Sequence, residues 1–354
     1  MEAKKRIDWI DVLKYLSIMT VILEHLEATC DELSVLYTPW FLEIFFFSAG
    51  YVHRAHQDTK AFFVKKIRGL FVPWLVFSFL DISISQIVSF REHGSYGSEL
   101  LWNLAQIRNC GAQLWFIPAI FTAYIPFYFF IEWYEKKPSP QSTRRTVLFW
   151  LLAAGIFLAG VLYSHLTASH PFPWGSSSLP WHIDYASVAL FWMVMGYFLR
   201  QRWEPTMDRL NTRRGRLLLL AVYLFVVYQP YLMSWRLPER IWEFMARFGT
   251  PLLGITLICS FAKTVRPNKY FRYIGQNTIL IFAFHGKLLG FCEGMLRRFA
   301  GGIYASILAN RLSSSVFAIV FAFVLSLVLI VPIYIVNEYF PFLVGRKNVG
   351  KLRS

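Results

Sequence analysis

The sequence predicts an all-α, polytopic membrane protein with ten transmembrane helices and both termini in the cytoplasm. Apolar and aromatic residues make up 56% of the 354 residues and charged residues only 16%, whereas soluble domains have roughly 25% charged residues. The chain contains ten apolar runs of about 18 to 25 residues, the length with which an α-helix crosses a bilayer. Basic residues are concentrated in alternate loops between these runs, as the positive-inside rule requires.

The ten predicted spans follow one another along the whole chain. They cover residues 9–28, 37–55, 67–89, 114–134, 146–165, 184–200, 215–234, 246–263, 271–292 and 315–342. The N-terminus and segments 54–68, 136–145, 200–216, 263–272 and 346–353 hold 26 of the 36 Lys and Arg residues, so these parts are predicted to face the cytoplasm. The longest stretches between spans have about 20 residues, too few for an independent core, so residues 1–354 are predicted to form a single membrane domain.

The net charge of +15 does not indicate a nucleic-acid-binding protein. The basic residues are spread over six short segments, so membrane topology and anionic lipid head groups explain them better than one nucleic-acid-binding patch. The lipid bilayer is therefore an expected partner. The four cysteines lack metal-ligand spacing, and no metal site is predicted; Cys30, Cys110 and Cys292 fall near the outer face, where a disulfide can form. The oligomeric state is not specified by the sequence.

The first span holds two ionisable side chains on one helix face. Lys14 and His25 are eleven positions apart, which places them about 20° apart around an α-helix and about 16 Å apart along its axis. Ionisable groups are costly within a membrane and often mark functional sites. A cation near the cytoplasm can bind donor phosphates, and a deeper imidazole can act as a general base. In the structural alternative, Asp11 and Lys14 form an intrahelical ion pair and His25 hydrogen-bonds a neighbouring helix.

Five fragments in order resemble the integral-membrane acyltransferase family 3, over about residues 6 to 340. The first fragment begins with Asp11-Val-Leu-Lys14 and continues through ten residues to His25. Lys, rather than Arg, at the basic position makes this fragment similar to the fucose 4-O-acetylase-like branch. The others are Phe45-Phe-Phe-Ser-Ala-Gly-Tyr51, Lys65-Lys-Ile-Arg-Gly-Leu-Phe-Val-Pro-Trp74, Leu114-Trp-Phe-Ile-Pro-Ala119 and Ile274-Gly-Gln-Asn-Thr-Ile-Leu-Ile-Phe-Ala-Phe-His285. Glu24 and Phe282 depart from the family pattern, which often has a small residue and a Tyr there.

This resemblance implies a membrane-bound O-acyltransferase. Members of the family transfer an acyl group, usually acetyl from acetyl-CoA, to a hydroxyl of a sugar or other envelope molecule. The resemblance assigns His25 as the catalytic residue and Lys14 as the basic motif residue, which would contact the CoA phosphates. The expected protein is a multi-pass O-acetyltransferase of the cytoplasmic membrane, and its expected partner is a carbohydrate or glycolipid acceptor of the cell envelope.

Further candidate site residues lie on several spans, each with a structural alternative. Arg68 and Lys66 enter the third span from the cytoplasmic side and are candidate CoA contacts, although positive-inside anchors would look the same. His285 can orient the acceptor or stabilise an oxyanion, or make a structural polar contact. Glu24 and Glu43 are candidates to orient His25, and Glu43 is also a candidate substrate contact.

Aromatic residues near the outer face are candidates for carbohydrate stacking. Trp115 opens the fourth span, and Trp174, Trp181, His182 and Asp184 cluster near the same face. Aromatic belts at membrane interfaces produce a similar pattern without a ligand. Two other functions fit ten spans with buried ionisable groups. One is a transporter or exporter of envelope polymers or lipid-linked sugars, and the other is a sensor that keeps the acyltransferase fold without turnover.

Overall fold

The computed structural model of the protein describes residues 7–88, 95–108, 114–136, 143–167, 172, 176–232 and 245–346. All regular secondary structure in these ranges is helical, so the all-α prediction is confirmed. The α-helices are numbered in chain order below, and the shorter π and 3₁₀ segments are given by their residues.

The first part of the chain contains ten of the described α-helices. These are α1 Asp8–Glu24, α2 Asp31–Ser34, α3 Glu43–Tyr51, α4 Thr59–Lys66, α5 Val72–Val88, α6 Tyr96–Ala105, α7 Phe116–Glu135, α8 Thr143–Thr167, α9 Ile183–Phe198 and α10 Glu204–Leu210. The π-helical segment Ile67–Phe71 joins α4 to α5, and a second one, Leu199–Trp203, joins α9 to α10. The 3₁₀ turn Pro180–His182 leads into α9.

The second part of the chain begins with α11. Its described α-helices are α11 Arg213–Leu232, α12 Thr250–Ala262, α13 Lys269–Gln276, α14 Thr278–Leu308, α15 Arg311–Val328 and α16 Ile330–Tyr339. The π-helical segment Met245–Gly249 precedes α12, and the 3₁₀ turn Pro341–Val344 follows α16.

Within the described residues, seven helical stretches are long and apolar enough to cross a membrane. They are Thr59–Ile87, Phe116–Glu135, Thr143–Thr167, Pro180–Arg209, Met245–Ala262, Thr278–Leu308 and Arg311–Tyr339. Each overlaps one of the ten spans predicted from the sequence. The chain is therefore a multi-pass membrane protein, as predicted. The cytoplasmic location of its termini stays a prediction.

The other three predicted spans correspond to weaker candidates. Helix α1 has 17 residues, so it is only about 26 Å long, whereas the hydrocarbon core is about 30 Å thick. The predicted span 37–55 is not one continuous helix, because turns precede the nine-residue helix α3. Helix α11 begins with Arg213, Arg214 and Arg216, which shorten its apolar part. Ten spans therefore stays a prediction.

The chain forms two compact units. The first comprises Met1–Ser48 and Phe198–Ile333, and the second comprises Ala49–Tyr197 and Tyr334–Ser354. The first unit contains the predicted site residues Lys14, Glu24, His25, Glu43 and His285, and the second contains Lys66, Arg68 and Trp115. The single membrane domain over residues 1–354 stays a prediction.

In the first unit, α1 packs backbone to backbone against α13. A Cβ atom added at Gly275 would lie 2.1 Å from the carbonyl oxygen of Asp11, so only glycine permits this approach. Arg272 of α13 donates a hydrogen bond to the Asp8 carboxylate at 2.8 Å, and the Gln276 amide donates to the Asp11 carboxylate at 3.4 Å. Helix α13 thus positions the first half of α1.

A second polar cluster of this unit surrounds Lys263, which directly follows α12. Its Nζ donates to Glu204 at 2.8 Å and to Asp208 at 2.6 Å, and it lies 5.2 Å from the ring centroid of Trp9. Burial lowers the pKa of Lys263, but hydrogen bonds and charges from Asp208 and Glu204 outweigh burial, so the pKa is raised overall. This cluster connects α10 to the end of α12.

In the second unit, the chain after α16 packs against the π-helical segment Ile67–Phe71. Gly345 has a left-handed φ of 68°, and a Cβ atom added there would lie 2.5 Å from the Arg68 carbonyl oxygen. Both the backbone conformation and the close approach therefore require glycine.

The cysteines do not pair within the described residues. Cys30, Cys259 and Cys292 are free, and the Sγ atom of Cys30 lies 2.9 Å from Oγ of Ser315. Cys110 lies outside the described residues, so a disulfide that includes it stays a prediction.

Candidate active site

His25 lies at the C-terminal end of α1, where the last turn tightens. Its backbone N–H donates to the Ile22 carbonyl at 3.2 Å, a bond between residues three apart rather than four. The Val21 carbonyl, which a regular α-helix would pair with that N–H, instead lies 2.8 Å from Nδ1 of the His25 ring. The imidazole therefore satisfies one of the carbonyl groups that a helix leaves open at its end.

This contact with Val21 determines which nitrogen of His25 carries hydrogen. A carbonyl oxygen can only accept a hydrogen bond, so Nδ1 is the donor. In the neutral imidazole Nε2 then keeps its lone pair. The residue as a whole is exposed. An imidazole with a fixed ring and a free Nε2 lone pair is suited to act as a general base.

His285 of α14 lies beside His25. The two ring centroids are 4.9 Å apart, and the rings meet edge to face at 85°. Nδ1 of His285 lies 3.0 Å from the Ile281 carbonyl and 2.9 Å from the Phe282 carbonyl, so it too is the protonated nitrogen. Its Nε2 is buried and has no hydrogen-bond partner among the described residues. The structure thus brings together two predicted site residues, an exposed His25 and a His285 whose Nε2 is buried.

Side chains of α11, α14 and α15 hold the segment that follows His25. Glu293 accepts from the Glu27 N–H at 3.1 Å, Ser314 donates to the Ala28 carbonyl at 2.6 Å, Tyr228 donates to the Glu32 carbonyl at 2.7 Å, and Tyr223 donates to the Leu36 carbonyl at 2.9 Å. Ion pairs join Glu27 to Arg297 and Glu32 to Arg311. The end of α1 is therefore anchored on both sides of the His25 ring, by its own helix and by the segment after it.

Lys14 lies on the same continuous helix as His25. Because α1 is unbroken from Asp8 to Glu24, the two residues are separated by about 16 Å along the axis, as the spacing predicts. Lys14 is half-buried, whereas Asp11 is buried and accepts the hydrogen bond from Gln276. A role for Lys14 in binding donor phosphates stays a prediction.

The two carboxylates proposed to orient His25 do not contact its ring. In the part of the chain that the structure describes, Nδ1 is bonded to a backbone carbonyl, and neither Glu24 nor Glu43 forms an ion pair with the imidazole. Glu24 is exposed, and Glu43 is half-buried at the first position of α3. Roles for these residues in catalysis or substrate binding stay predictions.

Lys66 and Arg68 of the second unit have different surroundings. Lys66 ends α4, and its Nζ lies 3.4 Å from the ring centroid of Tyr124 and 5.3 Å from that of Phe62. Aromatic faces attract cations in this way without a ligand. Arg68 is exposed within the π-helical segment, an element that frequently occurs at functional sites. Its guanidinium is thus the more accessible of the two for a phosphate group.

Trp115 lies at the start of α7 in the second unit. Its ring centroid is 5.4 Å from that of His182 and 5.7 Å from that of Tyr185, and the Arg108 guanidinium carbon lies 5.6 Å from the ring. Arg108 also pairs with Asp184 at 3.4 Å. Trp174, which the sequence places in this cluster, lies outside the described residues.

Two features of the candidate site escape sequence reasoning. The partner of the His25 ring is the backbone carbonyl of Val21, and any residue type supplies a carbonyl. The second feature is Gln276 of α13, which contacts Asp11. Gln276 lies in the fragment from Ile274 to His285 that resembles the family, but the sequence did not predict its contact with Asp11. The signal that was available for His25 is its position four residues after Val21 at a helix end, where carbonyl groups lack intrahelical partners.

The comparison with protein families identifies the family of the chain. The family model for the acyltransferase domain called acyltransferase 3 matches residues 7–335, which is most of the chain and includes both histidines. The chain therefore belongs to the acyltransferase 3 family and is a membrane acyltransferase. No curated protein and no solved structure gives a significant match.

Proposed function

We propose that this acyltransferase moves an acetyl group from acetyl-CoA to a hydroxyl of a sugar, polysaccharide or glycolipid of the cell envelope, in the cytoplasmic membrane. The observation that carries the proposal is the state of His25. Its Nδ1–H is held by the Val21 carbonyl at 2.8 Å, so in the neutral ring Nε2 keeps its lone pair. A base of this kind is required to activate a hydroxyl, which is a weak nucleophile at neutral pH.

In the proposed reaction, Nε2 of His25 accepts the proton of the acceptor hydroxyl as its oxygen attacks the thioester carbonyl carbon. The carbonyl oxygen becomes an oxyanion in the tetrahedral intermediate. When the carbonyl re-forms, the carbon–sulfur bond breaks, the sulfur leaves with the bonding pair, and the His25 imidazolium returns the proton to it. The products are the O-acetyl ester and free CoA, and the histidine regains its starting form.

His285 contributes to the same centre as a neighbour of the base. Its Nδ1 is occupied by backbone carbonyls, so only the buried Nε2 remains to accept a hydrogen bond. We assign it to orienting the acceptor through a second hydroxyl group, one that is not deprotonated by His25, because a lone pair accepts from a hydroxyl but cannot donate to an oxyanion. This favours the first of the two roles that the sequence left open for His285.

Lys14 is proposed to bind the phosphates of CoA, and Arg68 is a separate candidate for phosphate binding. Lys14 is on α1 about 16 Å along the helix axis from His25, a separation comparable to an extended pantetheine arm. Arg68 offers an exposed guanidinium in the second unit, and guanidinium groups bind phosphate oxygens in pairs. Lys66 is proposed to attract the phosphates more weakly, through its positive charge, while its ammonium lies 3.4 Å from the centroid of the Tyr124 ring.

The test is acetyl transfer by the purified full-length protein in detergent, with [¹⁴C]acetyl-CoA as donor and an extract of envelope carbohydrate and glycolipid as acceptor. Label is expected in an alkali-labile ester. His25→Ala should lower the rate by about 10²- to 10⁴-fold, the usual contribution of general acid–base catalysis. The matched control is His165→Ala, which changes an exposed histidine of α8 and should leave the rate unchanged.

Normal transfer by a His25→Ala protein that inserts and melts like the wild type would refute the role of His25 as base. Transfer in detergent also separates this proposal from transport, because transport requires two compartments. The family match to an acyltransferase domain does not favour a transporter.

A further inference from the structure

Among the described residues of the second unit, His182 is the polar side chain with the most unpaired buried atoms. It has 0% of its surface exposed, and neither Nδ1 nor Nε2 has a hydrogen-bond partner among the described residues. A neutral imidazole has one donor and one acceptor nitrogen, and leaving both unpaired in the interior is unfavourable. Buried polar groups in native proteins are nearly always paired, so a missing partner needs an explanation.

The backbone around His182 is strained as well. Trp181 and His182 have left-handed φ angles of 57° and 53°, and Leu114, directly before Trp115, has a φ of 52°. Non-glycine residues rarely adopt this conformation, and it concentrates at functional sites. The Trp181 carbonyl is held by a hydrogen bond from Thr122 at 2.9 Å. The fold therefore maintains an unfavourable backbone that places an unpaired imidazole next to Trp115.

The neighbours of His182 limit the chemistry of a ligand. The half-buried Trp115 ring lies 5.4 Å away and provides an aromatic face. Arg108 is the nearby cation, and it already pairs with Asp184, whose other oxygen accepts from the Leu179 N–H at 3.0 Å. An anionic ligand would have to compete with Asp184 for Arg108. A neutral hydroxyl can accept from the N–H of a neutral imidazole or donate to its other nitrogen, so hydroxyl groups match His182 without competing for Arg108.

We propose that His182 is a hydrogen-bonding residue for a hydroxyl group of the carbohydrate acceptor, with the sugar ring stacked on Trp115. Aromatic faces bind the apolar faces of sugars, while polar side chains at their edge bind the hydroxyls. Because Trp115 is the partly exposed neighbour of a fully buried His182, the indole ring must turn to open the imidazole to the sugar, and its face then stacks on the sugar ring. This inference rests on the proposed function, since it takes the acceptor to be a carbohydrate.

The test measures binding rather than turnover. The probes are methyl glycosides of glucose, galactose, fucose and N-acetylglucosamine, added to the full-length protein in lipid nanodiscs, with binding followed by saturation-transfer difference NMR. At least one glycoside is expected to bind the wild type. His182→Leu should weaken it at least tenfold, and His182→Asn less, because Asn keeps one donor and one acceptor and tolerates a left-handed φ. The matched control His165→Leu should bind normally.

Acetyl-CoA affinity should be the same in all of these variants, which separates loss of the sugar site from general damage. If His182→Leu does not fold, ¹⁵N-histidine spectra of the wild type answer the question, with the His182 signal assigned by its absence from His182→Asn. That signal should shift when the glycoside binds. Equal glycoside affinity in wild type and His182→Leu, an unmoved signal, or no glycoside binding by a wild type that binds acetyl-CoA would overturn the inference.

An acetyl-transfer assay with the same glycosides as acceptors, run beside the binding measurement, distinguishes failure of this inference from failure of the proposed function. A wild type that binds a glycoside through His182 but transfers no acetyl group to it would leave the sugar site intact and remove the proposed reaction. Acetyl transfer to a glycoside whose affinity does not depend on His182 would support the proposed reaction and overturn the sugar site at His182.

Discussion

Gly275→Ala should loosen the packing of α13 against α1 and lower the stability of the protein. The added methyl carbon would lie 2.1 Å from the carbonyl oxygen of Asp11, 2.8 Å from its carbonyl carbon and 3.1 Å from its Cα. Carbon atoms in favourable contact are about 3.5–4.0 Å apart. All three Asp11 atoms belong to the backbone and cannot rotate away, so the two helices must separate by about 1 Å.

The size of the effect follows from two opposing contributions. Overpacking a close contact costs about 1–3 kcal/mol, and rigid backbone neighbours place this site near the upper value. Alanine in a helix is favoured over glycine by about 1 kcal/mol. The net destabilisation is therefore about 2 kcal/mol, which changes the unfolding equilibrium by about 30-fold.

The assay is thermal unfolding of the purified protein in detergent, combined with the rate of acetyl transfer. Gly275→Ala should melt several degrees below the wild type, and transfer should slow because Lys14 and His25 are on the displaced helix. The matched control is Gly97→Ala in α6, where an added Cβ atom meets nothing within 4 Å, so its melting temperature should be unchanged or higher. A Gly275→Ala protein that melts at or above the wild-type temperature refutes the close packing of α1 and α13.

Three further predictions follow from individual contacts. Glu24→Gln should change the transfer rate by less than about threefold, since the His25 ring is held by a backbone carbonyl, and a loss of about 100-fold would show instead that the carboxylate acts on it. Asn310→Ala should destabilise the protein by about 1 kcal/mol in thermal unfolding, because the Asn310 side chain accepts two N–H groups at the start of α15. Lys263→Met should destabilise by about 1–2 kcal/mol at pH 7, because it leaves two partly exposed carboxylates unpaired. The pKa of Lys263 is raised in the folded state. Its contribution to the free energy of unfolding is therefore complete below the ordinary pKa of 10.5 and is lost as the pH rises through the raised pKa. At that pH the melting temperatures of the wild type and Lys263→Met should converge.

Hydropathy predicted the fold class and seven of the spans because a membrane-crossing helix needs a long apolar run and little else. It was less informative for residues 37–55. An aromatic-rich stretch such as 37–47 is apolar whether it is helical or turned, and only the structure shows turns followed by the short helix α3. The π-helical segments were also missed, since they are local changes of hydrogen bonding inside apolar helices.

For the candidate site, the sequence was informative about side chains and uninformative about backbone. The eleven-residue spacing placed Lys14 and His25 on one helix face, and the family resemblance directed attention to His285, whose ring lies 4.9 Å from that of His25. Glu24 and Glu43 were candidates to orient His25, and the hydrogen bond of its Nδ1 goes to the Val21 carbonyl, which no residue type signals. The strain at Trp181 and His182 was not predicted, because a left-handed backbone is uncommon for any residue other than glycine, even for His.

The contact of Gly345 with the Arg68 backbone bears on how the protein should be produced for the experiments above. Eight residues, 347–354, separate Arg346 from a fusion placed after Ser354, and an extended chain spans at most about 3.3–3.6 Å per residue. An affinity tag or fluorescent protein fused after Ser354 would therefore begin within about 30 Å of Arg346, next to a residue proposed to bind the donor. A long flexible spacer, or a tag that is cleaved before assay, should be used so that weak donor binding is not caused by the fusion itself.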